Sequence, residues 1–138
     1  MSYPENQLVR AINKEGQVVT KKIKNLRAGD QVVSWDLIAQ RPVTSTVIGN
    51  EVYAAGPIYR LVLADMSQFD CSSSAKFLTK EGFLDFYHDN NVLSYFNDAL
   101  HDLKIMRLDL INEGRSYDLR VEGGNFLLAS GAIVKALW

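Results

Sequence analysis

The side chains able to do chemistry fall in a few small groups. The single thiol, Cys71, opens the run Cys71-Ser72-Ser73-Ser74, which sets one nucleophile beside three hydroxyls that both donate and accept hydrogen bonds. No His or Arg run lies nearby to depress the thiol's pKa, so Cys71 reads as a small buried apolar residue. The serines read as a strand end satisfying backbone groups. His88-Asp89 and His101-Asp102 suggest metal ligation, but two histidines without further ligands do not make a site. Solvated or capping histidines are the better reading, and no metal or other cofactor is expected. Asp118 is evenly balanced between a structural carboxylate and a catalytic one. Lys21, Lys22, Lys24 and Arg27 form a small basic patch that reads as a solvated face.

The elements that must position these residues follow a mostly two-residue periodicity, with turn residues every eight to twelve positions, the pattern of an all-β domain. Strands are expected at Leu8–Ile12, Gln17–Ile23, Gln31–Trp35, Pro42–Tyr53, Ile58–Leu63, Gln68–Ser72, Lys76–Thr79, Phe83–Phe86, Lys104–Ile111 and Ser116–Val121. Two short apolar strands joined by Gly123-Gly124 close the chain. A one-turn helical segment is expected before Gly29-Asp30. The one expected helix is Asn90–Asp102, where Val92, Leu93, Phe96, Ala99, Leu100 and Leu103 recur at three- and four-residue spacing.

Composition excludes several classes. The 138 residues carry 15 Lys and Arg against 16 Asp and Glu, so net charge is −1 and gives no reason to expect nucleic acid or an anionic membrane as partner. No stretch approaches the roughly 18 apolar residues of a membrane span. The opening residues lack the basic and apolar regions of a signal peptide, and one cysteine excludes an internal disulfide framework. A reducing, cytoplasmic setting and a single domain over residues 1–138 are expected.

Four blocks, in order, resemble the hedgehog/intein (Hint) family of self-processing domains. Ser2-Tyr3-Pro4-Glu5-Asn6-Gln7-Leu8-Val9 fits the opening, where a nucleophile precedes an apolar strand. Ile23-x-x-Leu26-x-x-Gly29-Asp30-x-Val32-Val33 matches the family's Ile-x-x-Leu-x-x-Gly-Asp-x-Val segment. Cys71 to Gly82 resembles the (Cys/Ala)-Thr-x-x-His-x-Phe-(Leu)-Thr-x-x-Gly block. Tyr117-Asp118-x-x-Val121-Glu122, Asn125-Phe126 and the apolar pair before Lys135-Ala136 resemble the closing block. The resemblance implies an all-β, horseshoe-like fold of antiparallel strands with both termini central and at most one short helix.

It also implies which chemistry to look for. In the family, a first-residue nucleophile attacks the preceding carbonyl, a His serves the amide nitrogen as it leaves, and in inteins a terminal Asn cyclises. Carried over residue by residue, the nucleophile falls on Ser2, the Thr on Ser72 and the closing-block Asp on Asp118. The two block histidines fall on Ala75 and Gly124, the penultimate His on Lys135, the terminal Asn on Ala136 and the following nucleophile on Leu137. The expectation is a degenerate intein-like domain that has lost splicing and serves as a scaffold or binds an unknown protein, with Ser2, Ser72 and Asp118 as remnants. The competing expectation is residual autoprocessing through Ser2, with the chain's own flanking polypeptide as substrate. A third is an unrelated β-module that binds a partner through an edge strand.

Overall fold

A computed structural model describes residues 2–137. The strands in chain order are β1 (Tyr3–Pro4), β2 (Leu8–Ile12), β3 (Val18–Lys22), β4 (Gln31–Asp36), β5 (Arg41–Leu63), β6 (Gln68–Cys71), β7 (Phe77–Thr79), β8 (Gly82–Leu84), β9 (Asn91–Phe96), β10 (Ala99–Val121), β11 (Asn125–Leu127) and β12 (Ile133–Lys135). Among the described residues the one helical element is a 3-10 turn at Ile23–Asn25. The main sheet runs β1-β10-β5-β4-β2-β3, with β6 added to β5 and β9 to β10, and a second sheet runs β11-β12-β7-β8. Every ladder among the described residues is antiparallel, as hairpin-rich patterning requires.

β5 and β10 form the long axis of the molecule. Each is a single 23-residue strand, where separate strands were expected on either side of Ala54–Pro57 and Asn112–Gly114. The breakers do not end the strands because they lie opposite one another: Glu113 faces Pro57 and Gly114 faces Gly56. The ladder shifts register at four places along its length, and such bulges bend and twist a ribbon without terminating it.

The segment expected to be helical, Asn90–Asp102, is instead a hairpin of β9 and the start of β10. Asn97 and Asp98 form its two-residue turn with φ of 51° and 56°, the left-handed pair that matches strand twist in tight hairpins. Both faces of this hairpin are covered. Val92 and Leu103 pack toward the larger core cluster, whereas Leu93, Tyr95 and Leu100 pack toward the smaller one. Apolar residues on both faces imitate the spacing of a helix.

The larger cluster gathers residues from across the chain, among them Tyr3, Leu26, Leu61, Phe77, Leu119 and Phe126. The turn before β4 explains the Ile-x-x-Leu-x-x-Gly-Asp segment: Ile23 and Leu26 are fully buried, and Gly29 takes φ of +95°. Asp30 accepts the Arg27 N–H at 2.9 Å, while Asn50 Nδ2 donates to the carbonyls of Ile23 and Leu26 at 2.9 and 3.0 Å. The 3-10 turn is thus tied at both ends.

Both termini reach the same stretch of β10. Tyr3 pairs with Tyr117, and the Leu137 N–H donates to the Leu119 carbonyl at 2.8 Å. No helix among the described residues is long and apolar enough to cross a membrane.

Candidate functional site

Ser2 and Ser72 are joined by two hydrogen bonds. The Ser2 N–H donates to Ser72 Oγ at 3.2 Å, and the Ser72 N–H donates to the Ser2 carbonyl at 2.8 Å. β6 carries Ser72 to this place, and the turn after it closes through the Ala75 N–H to the Ser72 carbonyl at 3.2 Å. Ser74 Oγ lies 3.2 Å from Ser72 Oγ. The hydroxyl at position 72 therefore faces the nitrogen of the peptide bond that a nucleophile at position 2 would cleave.

Asp118 enters because Tyr3 pairs with Tyr117 one residue away. Its carboxyl is 0 % exposed and neither oxygen forms a full hydrogen bond, the Leu119 N–H beside it only favouring the charged form. Burial, which disfavours the charged form, lifts its pKa from 3.8 to about 7. The hydroxyl of Tyr3 is likewise buried and without a partner, and its pKa is raised by burial, then by the charges of Asp118 and Cys71. The nearness of Tyr3 to Asp118 depends on strand order, which leaves no local signal in the sequence. Burial also pushes the Cys71 thiol far above its ordinary value, so it is inert as a nucleophile.

Of the remaining positions matched to the closing block, only Lys135 carries an ionisable side chain. The Ala136 N–H donates to the Gly124 carbonyl at 3.0 Å, and the Lys135 N–H donates to the Lys76 carbonyl at 2.9 Å, next to Ala75. Ala75 (1 % exposed) and Ala136 (0 %) belong to the larger core cluster. Gly124 has φ of +77°, in the left-handed region that favours glycine.

The two histidines lie elsewhere. His88 Nδ1 is 2.7 Å from Asp85, and His101 stacks on Phe96 with ring centroids 3.9 Å apart. No three His, Cys, Asp or Glu side chains gather to hold a metal among the described residues. A groove of about 710 Å³ is lined by Glu5, Gln7, Arg60, Asp70, Glu113 and Arg115, among others. Ser2, Ser72 and Asp118 do not line it. Within it Arg60 and Asp70 form a two-pronged pair, at 2.8 and 3.0 Å.

No protein-family model matches the chain, and no curated protein matches it by sequence. Solved structures do. A DnaB intein from Synechocystis sp. PCC 6803 superposes with a TM-score of 0.86 at 16 % identity, covering 99 % of both chains. A bacterial intein-like domain from Clostridium thermocellum gives 0.77 at 13 % identity, covering 98 % of this chain and 97 % of its own. A DnaX mini intein from Spirulina platensis gives 0.76 at 15 % identity, covering 98 % and 99 %. Identities this low speak to architecture, and the architecture is unambiguous: the chain has the Hint fold of inteins and intein-like domains.

Proposed function

We propose that this chain is an intein-like domain that has lost protein splicing and keeps its scaffold for binding another protein. The observation that carries this reading is the burial of Ala75 and Ala136 in the core, at the positions where the resemblance expects a proton-moving His and a cyclising Asn. An acyl shift needs a proton delivered to the departing amide nitrogen, and asparagine cyclisation needs the side-chain amide itself. Methyl groups supply neither. Gly124 and Lys135 replace the other two histidines, and Leu137 offers no acceptor hydroxyl or thiol.

A second reading is supported by the contact between Ser2 and Ser72. In residual autoprocessing, Ser2 Oγ would attack the carbonyl before it, the C–N bond would break, and the nitrogen would take up a proton to leave an ester. Ser72 would hold the nitrogen, and Asp118, about half protonated at neutrality, would be the candidate acid.

The two readings separate in one experiment. A well-folded reporter is placed directly before Ser2, and intact mass is followed for a day with and without thiol or hydroxylamine. The expected result is an unchanged mass in the unmodified domain. Release of the reporter at the Ser2 junction overturns the inactive reading. An Ala75→His variant in parallel, checked for folding by circular dichroism, asks whether the lost His is what limits cleavage.

A further inference from the structure

β10 has two edges, and one of them is open at its centre. β5 occupies one edge from Ile105 to Val121. On the other edge, β9 covers Ala99–Lys104, the Ile105 N–H donates to the Asn90 carbonyl at 2.7 Å, and β1 covers only Ser116 and Tyr117. From Met106 to Arg115 that edge pairs with no strand among the described residues. Unpaired backbone donors and acceptors in extended conformation are a template for another strand.

The side chains along this opening make it unusual. Met106, Leu108 and Leu110 are 62, 42 and 64 % exposed, so large apolar groups stand in solvent at every second position. Tyr59 lies opposite Leu110 in the ladder and carries Phe86, which in turn contacts the exposed ring of Tyr87. Between the apolar residues, Arg107 and Asp109 pair with each other at 2.7 Å. Proline and lysine, which commonly protect an edge, are absent between Ile105 and Ile111.

We propose that this edge is a self-association surface, and that a second copy of the same chain adds its own β10 antiparallel across a two-fold axis at Leu108. The order of residues is self-complementary about that point. Arg107 then faces Asp109 of the second copy, Asp109 faces its Arg107, Met106 faces Leu110, and Leu108 faces Leu108. Cross-strand pairs of opposite charge and of apolar residues are the favourable pairs of antiparallel sheets. A contact that repeats itself under a two-fold closes after two copies. β9 blocks the edge beyond Ile105 and so sets the reach of the pairing at Ile105–Ile111. An interface built on so short a segment is weak, and the association depends on concentration.

Sedimentation velocity over a range of protein concentrations tests this. The expected result is a reversible shift from a 15.5 kDa species toward one of twice that mass. Arg107→Asp places like charges opposite each other twice and weakens association by about tenfold or more. The double exchange Arg107→Asp with Asp109→Arg restores both pairs and returns the dimer to near its original strength. Leu108→Lys sets two ammonium groups together on the axis and leaves only monomer. All three positions are partly or wholly in solvent, and unchanged circular dichroism and Tm confirm folding. A species that remains monomeric at about millimolar concentration, or a dimer indifferent to these changes, overturns the proposal.

Discussion

Asp118 and Asn125 are two buried polar side chains at either end of one turn, and the structure treats them in opposite ways. Asn125 is satisfied on every side. Its Oδ1 accepts the Trp35 N–H at 2.7 Å, its Nδ2 donates to the Trp35 carbonyl at 3.0 Å, and its own carbonyl accepts Ser34 Oγ at 2.6 Å. The side-chain amide imitates a peptide group and fastens β11 to β4. Asp118, as deeply buried, forms no full hydrogen bond at either oxygen. A buried polar group with all its bonds made stabilises and specifies a fold, whereas one without them carries its full desolvation cost. Asn125 is therefore explained by architecture, whereas Asp118 carries a desolvation cost that its surroundings do not offset.

The largest effect expected from this contrast belongs to Asn125→Ala. It strands the N–H and carbonyl of Trp35 inside the smaller cluster and leaves a cavity, at a cost of about 4 kcal/mol. Urea unfolding measures it directly. A loss below about 1 kcal/mol would mean that water replaces the amide and that the pin is dispensable.

Asp118 predicts a smaller change with a distinctive dependence on pH. Its pKa is near 3.8 unfolded and about 7 folded, so between these values the folded state binds more protons than the unfolded state. Stability conferred by protonation is complete below about 4, declines as pH rises toward 7, and is gone above it. Asp118→Asn keeps the shape and cannot ionise. The margin of the variant over the parent should widen by about 2 kcal/mol between pH 4.5 and pH 6. Thermal unfolding across this range decides it. A parent protein with no decline between pH 5 and 7.5 would show that the ionised carboxylate gains a partner.

The same contrast marks what could be read from residues alone. Local chemistry was legible. Gly29-Asp30 announces its turn because a left-handed backbone and an accepting carboxylate are needed within three residues. The turn at Asn13–Gly16 is equally self-contained, with Asn13 Oδ1 accepting the N–H groups of Glu15 and Gln17. The β9–β10 hairpin misled because periodicity records burial, and a strand covered on both faces loses its two-residue period. The turn itself rests on Asn97 and Asp98, residue types that tolerate the left-handed region. The continuity of β5 and β10 was not legible, since it depends on Pro57 meeting Glu113 across the ladder. The placement of Ser2 against Ser72 came through family resemblance rather than periodicity, and the contact between them is geometry alone. Their chemical role stays with the proposal above.

The turn between Asp118 and Asn125 yields the finest test, because its two glycines are required for different reasons. At Gly123, a Cβ would sit 3.0 Å from Ser45 Oγ and 3.2 Å from Ser34 Oγ, against the hydroxyl that accepts the Gly123 N–H at 2.8 Å. At Gly124, a Cβ would meet nothing within 4 Å, yet φ is +77°. Space forbids a side chain at the first and conformation penalises one at the second. Gly124→Ala should cost about 1 kcal/mol, and Gly124→Asn about half of that, because asparagine tolerates the left-handed region. Gly123→Ala should cost about the same as Gly124→Ala or more, and Gly123→Asn should be worse still, since enlarging the side chain deepens the clash. Chemical denaturation of the four variants gives opposite orders for alanine and asparagine at the two sites. If asparagine ranked below alanine at Gly124, a steric limit would hold there too, and the position matched to a family histidine would be closed by packing as well as by backbone.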